Sequence, residues 1–126
     1  MHIPAQTKVL IVEDDEPIRN LYKLKLDKEG YLTATAENGL IGLRKAKEFE
    51  PDLILLDLRM PVMSGDEMLV RMRESEWGSD IRVIVLTNIS KTEAPLSLRL
   101  LHVDRYIVKV HETPAQVVET VREVLG

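Results

Sequence analysis

The sequence predicts a doubly wound α/β domain, a parallel five-stranded sheet with helices on both faces. Three observations carry that expectation. Consecutive apolar residues, KVLIV at 8–12, LILL at 53–56 and VIVL at 83–86, read as strands buried on both sides, the usual condition in a parallel sheet. Stretches with apolar residues at helical spacing alternate with those runs. Several runs end in a polar or charged residue, at the strand edge where open α/β sheets bind ligands.

Residues 1–7 are expected to form a flexible N-terminal arm, and residues 8–126 a single domain. Lys8 to Val12 is the first strand. It stops at Glu13, Asp14, Asp15 and Glu16, and Pro17 follows. Acids before a proline mark a helix start, because Pro fits the first turn and carboxylates favour the positive end of the dipole. The first helix then runs from about Pro17 to Glu29, with Ile18, Leu21, Tyr22 and Leu26 on one face and Gly30 as its stop. Tyr31 to Ala36 is rich in β-formers and reads as the second strand.

Asn38-Gly39 is a turn into a second helix, Leu40 to about Glu48, with Ile41 or Leu43, Ala46 and Phe49 facing inward. Pro51-Asp52 breaks it, and the third strand runs from Leu53 into Asp57. A turn with Pro61, Ser64 and Gly65 leads to a third helix, about Asp66 to Glu74, whose core face is Met68, Leu69 and Met72. Trp77-Gly78 lies in the next loop, with the Trp a loop or packing residue. Ile81 to Thr87 is the fourth strand. A fourth helix is expected over Glu93 to Leu101, although Pro95 is tolerable only in a first turn. Asp104 to Val108 is the fifth strand, with Lys109 at its end. Thr113-Pro114 opens the last helix, which shows Val117, Val118, Val121 and Leu125 at helical spacing. Short connections imply right-handed crossovers, and the order most often seen in so small a domain is 2-1-3-4-5.

Composition narrows the function. The chain has 126 residues, one domain's worth, and no cysteine, so disulfides and thiolate metal sites are excluded. A net charge of −4, without a basic stripe, does not favour direct contact with nucleic acid. No apolar run reaches membrane-spanning length, and the first residues lack a signal-peptide core; a cytoplasmic protein is the expectation. Neither a dinucleotide-binding nor an NTP-binding glycine motif is present. His2, His102 and His111 have no metal-ligand spacing.

With the order 2-1-3-4-5, polar groups from four adjacent strands converge at one edge. The first strand delivers Glu13 and Asp14, the third Asp57, the fourth Thr87 and the fifth Lys109. Taken singly, each is ordinary: acids start helices, Asp caps turns, and Thr and Lys are common in strands and on surfaces. Taken together, three carboxylates repel one another unless a cation sits among them. Oxygen-only ligands in an open site suit Mg²⁺, with Mn²⁺ as the alternative. Lys109 adds a mobile positive charge able to pair with a phosphate oxygen. Thr87 and Asn88 add hydrogen-bond donors. An Asp between a divalent cation and a lysine can attack phosphorus and form an aspartyl phosphate.

The set VLIVEDDEPIR, LILLDLRMPVMSG, VIVLTN and YIVK resembles the receiver domain of bacterial two-component response regulators, over essentially the whole span from Lys8 to Leu125. The resemblance implies a flavodoxin-like three-layer (βα)5 sandwich. It implies that Asp57 accepts a phosphoryl group from a phosphohistidine of a sensor histidine kinase or phosphotransfer protein. Glu13, Asp14, Asp57 and the backbone carbonyl of Arg59 would hold Mg²⁺. The backbone at Arg59 and Asn88 would meet the phosphate, and Lys109 would pair with it. Thr87 and Tyr106 would move together as the switch. The face made by the fourth helix, fifth strand and fifth helix would then meet an output protein or domain, or a second receiver. On that reading the chain is a switch rather than an enzyme acting on other molecules, whether free-standing or cut from a longer regulator.

Three departures stand out. Val110 follows Lys109 where the family usually has a proline after a cis bond, and a trans bond is expected here. His102, Val103 and Asp104 replace the usual Gly-Ala-Asp. Pro95 and the bulky Leu98, Leu100 and Leu101 make the fourth helix atypical. Arg59 and Ile89 hold positions that tune phosphoryl lifetime in the family. Two other readings are a receiver-like docking module that works without phosphorylation, motivated by Val110 and the odd fourth helix, and a phosphatase. The second lacks an acid two residues beyond Asp57, where Arg59 stands.

Overall fold

The structure is a computed structural model and describes residues 6–126. Its elements are β1 Lys8–Val12, α1 Glu16–Lys28, β2 Leu32–Ala36, α2 Gly39–Phe49, β3 Leu53–Leu56, α3 Gly65–Glu74, β4 Arg82–Thr87, β5 Arg105–Val108 and α4 Pro114–Leu125. The five strands pair in parallel in the order β2-β1-β3-β4-β5. Residues 1–5 of the expected arm lie outside the described residues. Gln6 donates its side-chain amide to the Gly30 carbonyl at 3.2 Å, and Thr7 accepts from the Leu32 N–H at 2.9 Å.

Strand alternation divides the core into two apolar clusters, one on each face of the sheet. Leu10, Val12, Ile54, Leu56, Val83 and Val85 pack with Met68, Leu69 and Met72 of α3 and Ala46 of α2. Val9, Ile11, Leu53, Leu55, Ile84, Leu86 and Ile107 pack with Tyr22 and Leu26 of α1 and Val117, Val118 and Val121 of α4. Leu21, expected on the inward face of α1, is 39% exposed; the buried side of that helix is carried by Tyr22 and Leu26. Trp77 is half-buried against the first cluster, a packing residue.

Each helix starts on a side-chain cap at the C-terminal edge of the sheet. Asp15 accepts from the Ile18 N–H at 3.1 Å, Asn38 from Ile41 at 2.9 Å, and Ser64 from Glu67 at 3.3 Å. Thr113 and Gln116 form a reciprocal capping box at α4. Caps of this kind contribute about 1 kcal/mol each. They also fix where each loop leaves the sheet, and so where the polar groups on those loops stand.

The expected fourth helix over Glu93–Leu101 is absent as a regular helix. Two 3-10 turns replace it, Lys91–Glu93 and Leu96–Leu100, so among the described residues four α-helices rather than five cover the sheet. Pro95 is the cause. It has no N–H to give, its ring crowds the preceding turn, and it pushes residue 94 out of the helical region. Ala94 accordingly sits at φ −65°, ψ 148°.

The far end of that segment is tied down by Arg73 of α3, whose guanidinium donates to the carbonyls of Leu101, His102, Gly78 and Ser79. His102 takes a left-handed φ of 53°. Asp104 then staples β5 to β4, its carboxylate and its N–H each meeting the Val83 backbone at 2.8 Å.

Candidate functional site

The register of the sheet assembles the site. Val12 pairs with Leu56, Leu56 with Val85, and Thr87 with Val108. Glu13, Asp57, Thr87 and Lys109 are therefore at or one residue past the ends of four neighbouring strands. The ladder continues just beyond the strands: the Asp57 N–H donates to the Val12 carbonyl at 3.0 Å, and the Glu13 N–H to Ala36 at 3.0 Å. Arg19 of α1 reaches back to the carbonyls of Glu13, at 2.9 Å, and Asp14, at 3.3 Å, holding the acidic loop to the helix that follows it.

Asp57 is the centre. It is 7% exposed, yet every contact it makes suits a carboxylate. Oδ1 accepts from the Leu58 N–H at 2.7 Å and the Arg59 N–H at 3.4 Å, and Oδ2 accepts from Lys109 Nζ at 3.1 Å. The loop behind it is pinned. Gly65 donates to the Leu58 carbonyl at 2.9 Å, and a Cβ on Gly65 would overlap the Asp57 carbonyl oxygen, so only glycine allows α3 to start there. Val62, in the same loop, has φ 70° inside a tight turn closed by Met63 N–H donating to Pro61 at 2.8 Å. For a β-branched residue that is a strained backbone.

Glu13, Asp14 and Asp57 each bring one carboxylate oxygen within 4.8 Å of the other two. Glu13 and Asp57 are buried and Asp14 is exposed. Burial first, and then the charge of Asp57, pushes the Glu13 carboxyl up from its ordinary value to about 7, although the hydrogen bond from Lys109 pulls the other way. Burial would lower the Lys109 ammonium, but its hydrogen bond to Glu13 and the charges of Asp57 and Glu13 outweigh that and raise it. Lys109 is thus charged at neutral pH and lies among the acids. It reaches them with a trans peptide bond to Val110, since no described bond is cis.

A clustered, oxygen-only, partly solvent-facing donor set fits a hard divalent cation of the Mg²⁺ type, which keeps part of its water shell. The structure also opens a cleft of about 330 Å³ beside Asp57, lined by Arg59, Thr87, Asn88, Ile89 and Glu93. Thr87 is 1% exposed, and Asn88 and Arg59 are exposed at the rim. Tyr106, half-buried, donates its hydroxyl to the Ile89 carbonyl at 2.7 Å on the outer wall. Glu13, Asp14, Asp57, Arg59, Thr87, Asn88 and Lys109 thus stand at one edge of the sheet, while Tyr106 lies within β5, opposite Val85. Glu93 is the lining residue that sequence reasoning did not single out, because it reads as the first residue of an ordinary helix. His102 and His111 are exposed and away from the cleft lining.

A parallel α/β sheet whose C-terminal edge gathers two further carboxylates, a hydroxyl and a lysine around one buried aspartate belongs to the flavodoxin-like class of signalling domain. The family itself is shown by the match of residues 9–122 to the response regulator receiver domain: the chain belongs to that family. It is 33% identical over 118 residues to the chemotaxis protein CheY of Halobacterium salinarum, covering 94% of this chain and 96% of that protein. It is 45% identical over 80 residues to sporulation initiation phosphotransferase F of Bacillus subtilis, covering 64% of this chain and 63% of that one. The crystal structure of the response regulator TrrA from Thermotoga maritima, in complex with Mg²⁺-BeF, superposes with a TM-score of 0.81 at 33% identity, covering 96% of this chain and all of that one. Other relatives are far longer: the chain spans 6% of hybrid signal transduction histidine kinase D of Dictyostelium discoideum. Receiver domains are modules of two-component signalling that work with histidine kinases or phosphotransferases and with output domains. Among the described residues, no helix is long and apolar enough to cross a membrane.

Proposed function

We propose that this receiver accepts a phosphoryl group on Asp57 from a phosphohistidine of a sensor histidine kinase or phosphotransfer protein, and that the acceptance switches a docking face. The observation that carries the reading is the setting of Asp57. One of its oxygens is held by two backbone N–H groups and the other by Lys109, and it borders a cleft roomy enough to admit a phosphoryl group.

In the transfer, one Asp57 oxygen forms a bond to phosphorus as the phosphorus–nitrogen bond breaks, and the imidazole leaves with that electron pair. Lys109 follows the charge to a phosphoryl oxygen. The backbone N–H groups at Arg59 and Asn88 and the Thr87 hydroxyl face the other oxygens. Glu13, Asp14, Asp57 and the Arg59 backbone carbonyl are the groups that would hold Mg²⁺, or Mn²⁺. Such an ion would offset the negative charge gathered on the phosphoryl oxygens.

The switch follows from charge. A phosphoryl group brings roughly two negative charges to a buried edge, and Thr87 is the hydroxyl nearest to answer it. Withdrawal of Thr87 toward the cleft frees space behind β4 for Tyr106, whose hydroxyl now rests on Ile89. The output face is then built by the 3-10 segment, β5 and α4, where an output protein, an output domain or a second receiver would dock.

The test is intact-protein mass after incubation with acetyl phosphate and Mg²⁺. The expected result is a gain of one phosphoryl group, abolished by Asp57→Asn and by EDTA. No gain under conditions that load other receivers would replace this reading with a docking module that works without phosphorylation.

A further inference from the structure

The cleft beside Asp57 carries one acid that accepting a phosphoryl group does not need. Glu93 ends the first 3-10 turn, where its N–H donates to the Ser90 carbonyl at 3.0 Å, and its side chain lines the same cleft as Asp57, Arg59, Thr87 and Ile89. Among the described residues, its carboxylate forms no ion pair and accepts no hydrogen bond that would hold it elsewhere. The Tyr106 hydroxyl reports the same arrangement: burial first, then the charges of Asp57 and Glu93, push it up, so both carboxylates act on one hydroxyl. Arg59 stands in the same cleft and, among the described residues, forms no ion pair with Glu93. Glu93 borders the cleft from the 3-10 turn that precedes Pro95.

Apart from Asp57 itself, Glu93 is the lining residue whose side chain can take up a proton at neutral pH. We infer that Glu93 is the base that activates water for hydrolysis of the Asp57 phosphoryl group, and so sets how long the signal lasts. This rests on the reading of Asp57 as the acceptor. In the step, a water entering the cleft forms an oxygen–phosphorus bond while the bond from phosphorus to the Asp57 oxygen breaks. Asp57 leaves as a carboxylate with the electron pair, the water's proton passes to Glu93 and then to solvent, and inorganic phosphate departs. Ile89, two residues beyond Thr87, is apolar and offers no competing base.

The experiment loads the full chain with phosphoramidate and Mg²⁺, removes the donor, and follows loss of the phosphoryl group by intact mass. Wild type, Glu93→Gln and Glu93→Asp are compared, with far-UV circular dichroism and thermal midpoint recorded for each. The expected result is that Glu93→Gln slows loss by on the order of 10-fold, below the roughly 100-fold or more of a buried, well-positioned base because Glu93 is exposed. Glu93→Asp keeps part of the rate, and loading rates stay within about twofold across the set. Equal decay of wild type and Glu93→Gln overturns the inference while leaving Asp57 as the acceptor. A matching rise in the loading rate of Glu93→Gln also overturns it, since that would mean charge repulsion alone. Failure of wild type to load overturns the reading of Asp57 and this inference together.

Discussion

The two ends of the site are built in opposite ways. Around Asp57 every backbone direction is fixed: β1 and β3 are buried, the ladder runs past the strand ends, Ser64 caps α3, and Gly65 packs against the Asp57 carbonyl. Across the cleft, residues 88–104 hold two 3-10 turns, a proline between them, and Leu96 and Leu100 at 73% and 83% exposure. Only Leu98 of that stretch is buried. The difference separates two tasks. The acceptor must stand in one geometry before its substrate arrives, which demands packing. The segment that reads the result must move at modest cost, which demands little packing and few regular hydrogen bonds.

The largest effect expected from this contrast is on stability. Leu56→Ala removes a side chain that is 1% exposed in β3 and should cost about 3 kcal/mol. Leu100→Ala, at 83% exposure, should fall within about 0.5 kcal/mol. Urea unfolding of both variants checks the pair, and similar losses would erase the contrast.

Next comes pH. The folded Glu13 carboxyl, at about 7, lies above its ordinary 4.5. A carboxyl raised in the folded state contributes stability below about pH 4.5, and that contribution is lost as pH climbs to about 7. The metal-free protein should therefore lose stability across that window by more than its Glu13→Gln variant does. Mg²⁺ must compete with the same proton, so its affinity should weaken as pH falls below about 7. Thermal midpoints with and without Mg²⁺ at pH 6 and pH 8 measure both trends. A wild type that matches Glu13→Gln throughout would show that Glu13 carries no shifted proton.

The smallest effect is the most local. Pro95→Ala restores the missing N–H and should let residues 91–100 become more helical, seen as added far-UV ellipticity, with stability changed by only about 0.5 kcal/mol because so little there is buried. Unchanged ellipticity would mean that the leucines, not the proline, keep this segment irregular.

Most of the architecture was legible because the strands are near-continuous apolar runs and each helix carries a cap. Asp15, Asn38, Ser64 and Thr113 are short polar residues ahead of periodic segments, and each caps a helix. The site was legible for the same reason: Glu13, Asp57, Thr87 and Lys109 end strands whose order follows from the topology. What escaped the sequence depended on weaker forces. Apolar spacing over Glu93–Leu101 suggested a helix, and the proline outweighed it. Leu21 has the right spacing on α1 but stays partly uncovered, at 39% exposure. Glu93 lines the cleft from a 3-10 turn, and no periodic pattern marks it out.

The sheet's division of the core into two apolar clusters has a historical consequence. Residues on opposite faces share few neighbours, and changes at such separated sites combine almost additively. The surface of α1 and α4 can therefore be rewritten by mutation while the α2–α3 side stays as it was, and the reverse. A lineage carrying this domain could accumulate core substitutions beneath one layer without compensation in the other, with Asp57 at the edge the two layers share.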